Sequence, residues 1–186
     1  MPKQRITKEM VVEAAFELAR EQGMEEVMVK NLAEKLGCSV QPIYSYCRSM
    51  DGLLHDVYQR SERFVKEYLA EHIDKTDFFR STGHAYIRLA KEEPNLFKMF
   101  ILHQREGITT LDDLYDSEAN PDVAAFIAEN LHIDVEKARM LHRNMMIYTV
   151  GIGTILATSS PGVPMEEIEA QLEAAQQAFM AQIQNA

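Results

Sequence analysis

Several features are scarce in this sequence, and each absence excludes a class of protein. Only Cys38 and Cys47 occur among 186 residues, which argues against a disulfide-stapled extracellular scaffold and fits a reducing compartment. The longest charge-free apolar stretch, 145–157, is too short to cross a bilayer. The N-terminus carries mixed charge where a signal peptide would have an apolar core. We therefore expect a cytoplasmic protein with no membrane partner.

Sequence motifs for catalysis and metal binding are also lacking. The six histidines are scattered, and no HExxH motif, P-loop, dinucleotide-binding glycine pattern or GxSxG elbow occurs. No group of His and Cys has the spacing of metal ligands. The sequence therefore predicts no catalytic residues, no metal and no cofactor, and we do not expect an enzyme.

Basic residues are in deficit, and the deficit is uneven along the chain. The net charge is -10 at pH 7. Residues 1–60 hold eight Lys or Arg against nine Asp or Glu, whereas residues 61–186 hold eleven against twenty. Screening limits the reach of a surface charge to roughly 8–10 Å at ordinary salt, so local charge decides contact with phosphate. The acidic second part thus leaves a nucleic-acid contact possible in the first sixty residues.

Apolar residues recur at helical spacing along most of the chain, and no stretch of any length alternates with the period of a strand. Thr7 predicts the cap of a first helix and Gly23 its end, and Ser49 predicts the start of a long fourth helix. Further helices are predicted from 74 or 76 to 93, and over 95–105, 109–116, 121–130, 134–158 and 165–183. The fold class is all-α.

The most informative stretch is 31–50, NLAEKLGCSVQPIYSYCRSM. Its first helix ends at Gly37, because glycine takes the left-handed conformation there at little cost. Ser39 is a natural N-cap for a second helix, Pro42 falls in that helix's first turn, and Ile43 points to the core. A helix, a short turn with glycine and a second helix carrying polar and aromatic groups form a helix-turn-helix, whose second helix enters a major groove.

With its flanks, this stretch resembles the DNA-binding domain of the TetR family of bacterial transcriptional regulators over about residues 7–58. The resemblance is carried by Gly23, the Leu32-Ala33 and Leu36-Gly37 pairs, Ser39, the Ile43-Tyr44 pair, Tyr46, Ser49 and the Leu53-Leu54 pair. Met28, Gln41, Cys47 and Met50 depart from the residues usual in the family. The resemblance implies a helix-turn-helix head of three helices (residues 1–48) joined to a helical bundle for ligand binding and dimerisation (residues 49–186).

The second helix supplies most of the candidate DNA contacts. Gln41 is suited to a bidentate contact with adenine. Tyr44, like the lysine and arginine nearby, is suited to positioning phosphates, although its ring has the alternative role of bracing the head core. The candidate DNA-binding set is Lys30, Ser39, Gln41, Pro42, Tyr44, Ser45, Tyr46, Arg48 and Ser49.

Large and adaptable side chains in the second part suggest a small-molecule pocket. Methionine adapts to varied ligand shapes, and Tyr148 or His103 would fix a polar group. The alternative for each residue is that it simply fills the core. The candidate ligand-binding set is Phe97, Met99, Phe100, His103, Met145, Tyr148 and Ile152.

The last two helices suggest a dimer interface, as the resemblance also implies. Glycine inside a helix costs about 1 kcal/mol relative to alanine, so a packing reason is expected. The candidate interface set is Gly151, Gly153, Ile168, Leu172, Ala175 and Phe179. A twofold dimer would set two recognition helices about one DNA turn apart and read a near-palindromic site.

These observations predict a homodimeric, ligand-responsive transcriptional regulator, a repressor, whose partners are double-stranded DNA and a small-molecule effector of unknown identity. The alternative is a helical small-molecule-binding or enzymatic protein whose helix-turn-helix no longer binds DNA. Met50 and the few basic groups favour that alternative.

Overall fold

The computed structural model describes residues 6–46, 49–102, 104–159 and 161–184, without the side chains of Tyr46 and Pro121. Within these ranges the chain forms helices and no strand, so the predicted all-α fold is confirmed. The α-helices are α1 Lys8–Gln22, α2 Val29–Lys35, α3 Val40–Tyr46, α4 Met50–His72, α5 Phe78–Glu92, α6 Pro94–Ile101, α7 Leu111–Glu118, α8 Pro121–Leu131, α9 Val135–Ser159 and α10 Met165–Gln184. Short 3-10 helices lie at Met24–Glu26 and Lys75–Asp77. None of the described helices is long and apolar enough to pass through a membrane.

Local capping fixes the ends of the N-terminal helices. Thr7 Oγ1 accepts a hydrogen bond from the Met10 amide at 3.2 Å, and Ser49 Oγ accepts one from the Gly52 amide at 3.1 Å. Both predicted caps are therefore confirmed. Gly37 has a φ of +61°, so the turn between α2 and α3 uses the left-handed conformation that its position predicts.

Two apolar clusters fill the molecule, and α4 belongs to both. The head core contains Leu53 and Val57 of α4, together with buried side chains of α1, α2 and α3. The body core contains Val65 and Tyr68 from the second half of the same helix. The first turns of α4 therefore help to fill the head core, although they lie after the predicted domain boundary at residue 48. That boundary remains a prediction.

The body is arranged around α9, which packs against α5, α6, α8 and α10. Its buried residues recur every three or four positions, as the apolar face of a helix requires. They are Ala138, Leu141, Met145, Thr149, Gly153, Leu156 and Ala157. A Cβ at Gly153 would lie 2.5 Å from Phe97 Cζ, so this glycine makes room for the fully buried ring from α6.

Several predicted helix limits differ from the structure by two residues or more, and α7 lies at Leu111–Glu118 where a helix over 109–116 was expected. The helix expected over 95–105 ends at Ile101, whose carbonyl accepts a hydrogen bond from Arg105 Nη2 at 2.9 Å. That contact satisfies a carbonyl at the helix end while the chain turns away. Asp74 caps the 3-10 turn, accepting from the Thr76 amide at 2.8 Å, and α5 begins later at Phe78.

Head and body are joined by a polar contact as well as by α4. Arg20, in the last turn of α1, donates through Nε to Glu93 Oε2 at 2.7 Å and through Nη2 to the other carboxylate oxygen. Glu93 lies between α5 and α6 and is only 7% exposed. Asn95 Nδ2 donates to the Arg20 carbonyl at 2.9 Å. The end of α1 is therefore fixed to the start of α6.

Candidate nucleic-acid interface

The helix-turn-helix is held together by buried apolar groups and by hydrogen bonds in its turn. Leu32 and Ala33 of α2 and Ile43 of α3 are buried in the head core. The Cys38 amide donates to the Ala33 carbonyl at 3.0 Å, and the Gly37 amide donates to the Glu34 carbonyl at 3.1 Å. The turn therefore has a fixed geometry, and α3 presents its remaining side chains outward.

The outer surface of α3 contains several residues of the predicted DNA-binding set. Gln41, Tyr44 and Ser45 are exposed, and Tyr44 is 60% exposed, so its ring does not fill the head core. Ser45 Oγ donates to the Gln41 carbonyl at 3.0 Å, which uses the hydroxyl proton within the helix. Pro42 lies in the first turn and is partly buried.

The other predicted DNA contacts lie around α3. Ser39 is exposed immediately before α3, Lys30 is exposed in the first turn of α2, and Ser49 is exposed as the cap of α4. Arg48 lies outside the described residues, as does the side chain of Tyr46. Exposure alone does not test a contact with DNA, so all of these assignments stay predictions.

Most described basic groups of the head are held in ion pairs. Lys8 Nζ lies 2.7 Å from Asp56 Oδ2, and Lys35 Nζ lies 3.1 Å from Glu17 Oε2. The hydrogen bond from Lys35 to Glu17 raises the pKa of the lysine. Arg20 pairs with Glu93, so Lys30 is the one Lys or Arg among the described residues up to 46 that forms no ion pair with another described residue.

The predicted ligand-binding residues are dispersed through the apolar interior. Phe97 and Met145 are buried in the body core, and Ile152 packs against it. Phe100 lies toward the head, with its ring centroid 4.8 Å from that of Tyr58. Met99 packs against both the head core and the body core.

Of the two predicted ligand residues with a polar group, the structure describes Tyr148 but not His103. Tyr148 accepts a hydrogen bond from Gln171 Nε2 at 2.8 Å and packs edge-on against Phe179. His103 lies outside the described residues.

Two of the surface clefts in the described part of the chain are lined by none of the predicted ligand residues. One, of about 450 Å³, lies between α1 and α4 and is lined by Lys8, Glu9, Val12, Glu13, Asp56, Gln59, Arg60, Arg63 and Glu67. The other, of about 480 Å³, lies between α7 and α9 and is lined by Asp112, Glu136, Lys137, Arg139, Met140 and Arg143. Both clefts are open and mostly polar in character.

The predicted dimer residues divide into buried and exposed groups. Ile168, Leu172 and Ala175 are buried within the subunit, as is Gly153. Phe179 is partly buried. Gly151 is exposed, and a Cβ there would meet nothing within 4 Å. Ile147, Gly151 and Ile155 of α9 and Ala170, Ala174 and Ala178 of α10 are exposed small or apolar residues of the last two helices.

Two features of the head and its contact with the body were not predicted from the sequence. Val40, the first residue of α3, is 43% exposed beside Gln41. Its position next to a predicted base contact was a usable signal. The pairing of Arg20 with Glu93 joins residues 73 positions apart, and nothing in the local sequence marks it.

Comparisons with known proteins agree with this geometry. Residues 11–57 match the family model described as bacterial regulatory proteins, tetR family. The structure is similar to the crystal structure of a transcriptional regulator from Rhodococcus sp. Rha1, with a TM-score of 0.59 and 15% identity over 95% of this chain and 97% of that chain. At that identity the likeness shows the fold alone. No curated protein matches the sequence. The matched residues include both helices of the helix-turn-helix described above, so the N-terminal head is a DNA-binding domain of the tetR family of bacterial regulatory proteins.

Proposed function

We propose that this regulator binds a near-palindromic operator as a homodimer and that a small molecule in the body alters that binding, so that the protein acts as a repressor. The observation that carries the proposal is the exposed outer surface of α3, held in place by a buried inner face. A helix so exposed, in a head of this family, is suited to the major groove.

The division of roles among the DNA contacts follows from their chemistry. Gln41 offers paired donor and acceptor groups for an adenine edge, with Pro42 and Ser45 beside it and Tyr46 one turn on. Lys30 and Arg48 supply charge to phosphates, and Tyr44 supplies a hydroxyl. Ser39 and Ser49 lie at helix starts, where backbone amides are free to meet phosphate oxygens.

The dimer is proposed to form through the exposed face of α9 and α10. Ile147, Gly151 and Ile155 recur every four residues along α9, which gives an apolar stripe facing outward. Small residues at 170, 174 and 178 of α10 would let a partner helix approach closely. Ile168, Leu172, Ala175 and Gly153 would then support this face from within, and Phe179 would border it.

The effector is proposed to bind within the body among the predicted side chains. Met145, Ile152 and Tyr148 belong to the body core or pack against it, and Phe97 is packed at Gly153. Methionine side chains adapt readily, so a ligand could enter this cluster by rearranging them. Met99 and Phe100 pack toward the head, so a rearrangement around the ligand would move side chains that contact it. His103 is close to them in sequence.

Two connections are available to carry such a change to the head. One is α4, which belongs to both cores. The other is the contact of Arg20 with Glu93 and Asn95. A ligand with different affinities for two arrangements of these connections would shift the population of DNA-binding heads.

Selection from a pool of random duplexes, followed by salt titration, tests the DNA-binding proposal. We expect enrichment of near-palindromes whose affinity falls steeply with salt. Gln41→Ala should change the preferred base at one position in each half-site. Lys30→Ala should weaken binding to all sequences alike and reduce the salt slope by about one unit per subunit.

Two outcomes would contradict these assignments. Equal losses on all sequences for Gln41→Ala and Lys30→Ala would refute the division of roles. Failure to enrich any duplex at low salt would favour the alternative, a helical small-molecule-binding protein whose head has lost DNA binding.

A further inference from the structure

An apolar side chain lies exposed in the first turn of the recognition helix. Val40 is 43% exposed, whereas Ile43, three residues later, is fully buried. The head core is formed by other side chains and does not include Val40. This β-branched apolar group is therefore partly in water and is not among the side chains that form the head core.

The position of Val40 favours contact with base edges. In a helix-turn-helix the N-terminal residues of the second helix approach the bases, and Val40 is the first residue of α3. It immediately precedes Gln41, the predicted adenine contact. Tyr44 lies one turn further on the same face of the helix and is also exposed. An approach that brings Gln41 to a base edge therefore brings Val40 to the same or the adjoining base pair.

The chemistry of the groove selects one partner for such a group. The thymine 5-methyl is the apolar group that base pairs present in the major groove, and the other edges present donors and acceptors. A valine set against a guanine or cytosine edge would remove water from polar atoms and replace none of their hydrogen bonds. Valine has few side-chain rotamers, so its methyl groups keep a fixed position on the helix.

We propose that Val40 is a specificity residue of the DNA-binding head and that it contacts the 5-methyl group of a thymine in each operator half-site. The proposal rests on the proposed function, because it requires the outer surface of α3 to enter the groove. Gln41 reads an adenine by hydrogen bonds, and Val40 reads a thymine by apolar contact. Together they favour A·T pairs where α3 contacts each half-site.

Substitution of deoxyuridine for thymine isolates the methyl group. In a duplex enriched by the unmodified protein, each symmetric pair of thymines is replaced in turn by deoxyuridine, which lacks only that methyl. We expect one pair of positions at which affinity falls about fourfold per half-site, the value of one buried methyl group, or about fifteenfold for both. The other replacements should have little effect.

Combining the deoxyuridine replacement with the variant Val40→Ala tests whether Val40 is the residue that contacts the methyl group. This variant should bind the thymine and deoxyuridine duplexes with equal affinity at that pair of positions, while Gln41→Ala keeps the difference between them. Since Val40 is outside the head core, Val40→Ala should keep the unfolding temperature of the unmodified protein.

The outcomes separate the two proposals. If the unmodified protein enriches no duplex, the proposed function fails, and the methyl contact fails with it. If it enriches a duplex but no deoxyuridine pair weakens binding, or if Val40→Ala keeps the full sensitivity, the methyl contact alone is overturned. An enriched half-site without thymine would overturn it as well.

Discussion

His142 of α9 shows how burial sets the chemistry of a single residue. Its Nδ1 lies 2.8 Å from the Tyr115 hydroxyl, and its ring packs edge-on against Tyr115 and Phe79. Burial lowers the pKa of His142 from its ordinary value of 6.5 to about 4. The histidine is therefore neutral in the folded protein at any pH near neutrality.

This lowered pKa predicts a loss of stability in mild acid. Below about pH 6.5 the unfolded chain takes up a proton at His142, whereas the folded chain does so only near pH 4. The free energy of unfolding should therefore fall by up to about 3 kcal/mol as the pH is lowered through this window. Urea unfolding at several pH values measures the slope.

The control for this prediction is His142→Asn, which keeps an amide near the Nδ1 position but does not titrate. Its free energy of unfolding should fall less steeply between pH 6.5 and 4 than that of the unmodified protein. Equal slopes in the two proteins would contradict the role given to His142, whatever the difference in their absolute stability.

Residues differ in how far local sequence determines them. Gly37 was predicted because its left-handed backbone is a property of one residue and the helix before it. Thr7 and Ser49 were predicted as caps for the same reason. His142 was not singled out, because its burial depends on Phe79 and Tyr115, which lie far away in sequence.

At the scale of elements, α9 contains two glycines with different surroundings. Gly153 is buried against Phe97, and Gly151 is exposed with open space around it. The two positions lie about 200° apart around the helix axis at 3.6 residues per turn. One glycine therefore serves packing within the subunit, and the other faces outward.

Adding a methyl group at each glycine should give opposite results. Gly153→Ala forces the new Cβ against Phe97, and overpacking costs about 1–3 kcal/mol, partly offset by the better helix propensity of alanine. Gly151→Ala gains that propensity without a clash and should raise stability by up to about 1 kcal/mol. Thermal or urea unfolding of both variants measures the difference.

The comparison of the two glycines has a built-in check. An effect of Gly151→Ala on dimerisation would depend on protein concentration, whereas the packing effect of Gly153→Ala would not. Equal destabilisation by both substitutions at all concentrations would contradict the packing described for Phe97.

Element boundaries followed the sequence where capping residues were local. The predicted helices over 134–158 and 165–183 agree with α9 and α10 to within a residue at each end. The helix expected over 95–105 was too long, because its end depends on Arg105 reaching back to the Ile101 carbonyl. Apolar periodicity alone does not reveal such a contact.

For the whole molecule, the proposed dimer accounts for apolar groups left at the surface. Ile155 is 57% exposed on the outer face of α9, in line with Ile147 and Gly151. A stable interface buries roughly 800 Å² on each partner, and two long helices offer a surface of that order. Leu111, the first residue of α7, is 56% exposed and belongs to neither of these two helices.

A charge on the face should therefore separate the subunits. Ile155→Glu would bury a carboxylate without a partner, so we expect the dimer dissociation constant to rise about 100-fold or more. Operator affinity should fall with it, because one head makes only half of the contacts. Sedimentation at several concentrations and binding to the enriched duplex measure both effects.

Leu111→Glu is the matched control, because it adds the same charge at an equally exposed apolar position. It should leave both the dimer and DNA binding unchanged. A dimer that survives Ile155→Glu would show that the subunits do not meet through the stripe of α9 that contains Ile155.

The sequence by itself determined the all-α fold and the helix-turn-helix, because helical periodicity, caps and a left-handed glycine act within a few residues. The family followed from the resemblance of the head to known DNA-binding domains, which the match over residues 11–57 supports. Only the tertiary structure decided which groups are free to act. It pairs Lys35 with Glu17 and Arg20 with Glu93, buries Ile168 and Leu172, and leaves Val40 in solvent. Burial and ion pairing depend on neighbours brought together from distant positions, and a local pattern does not contain them.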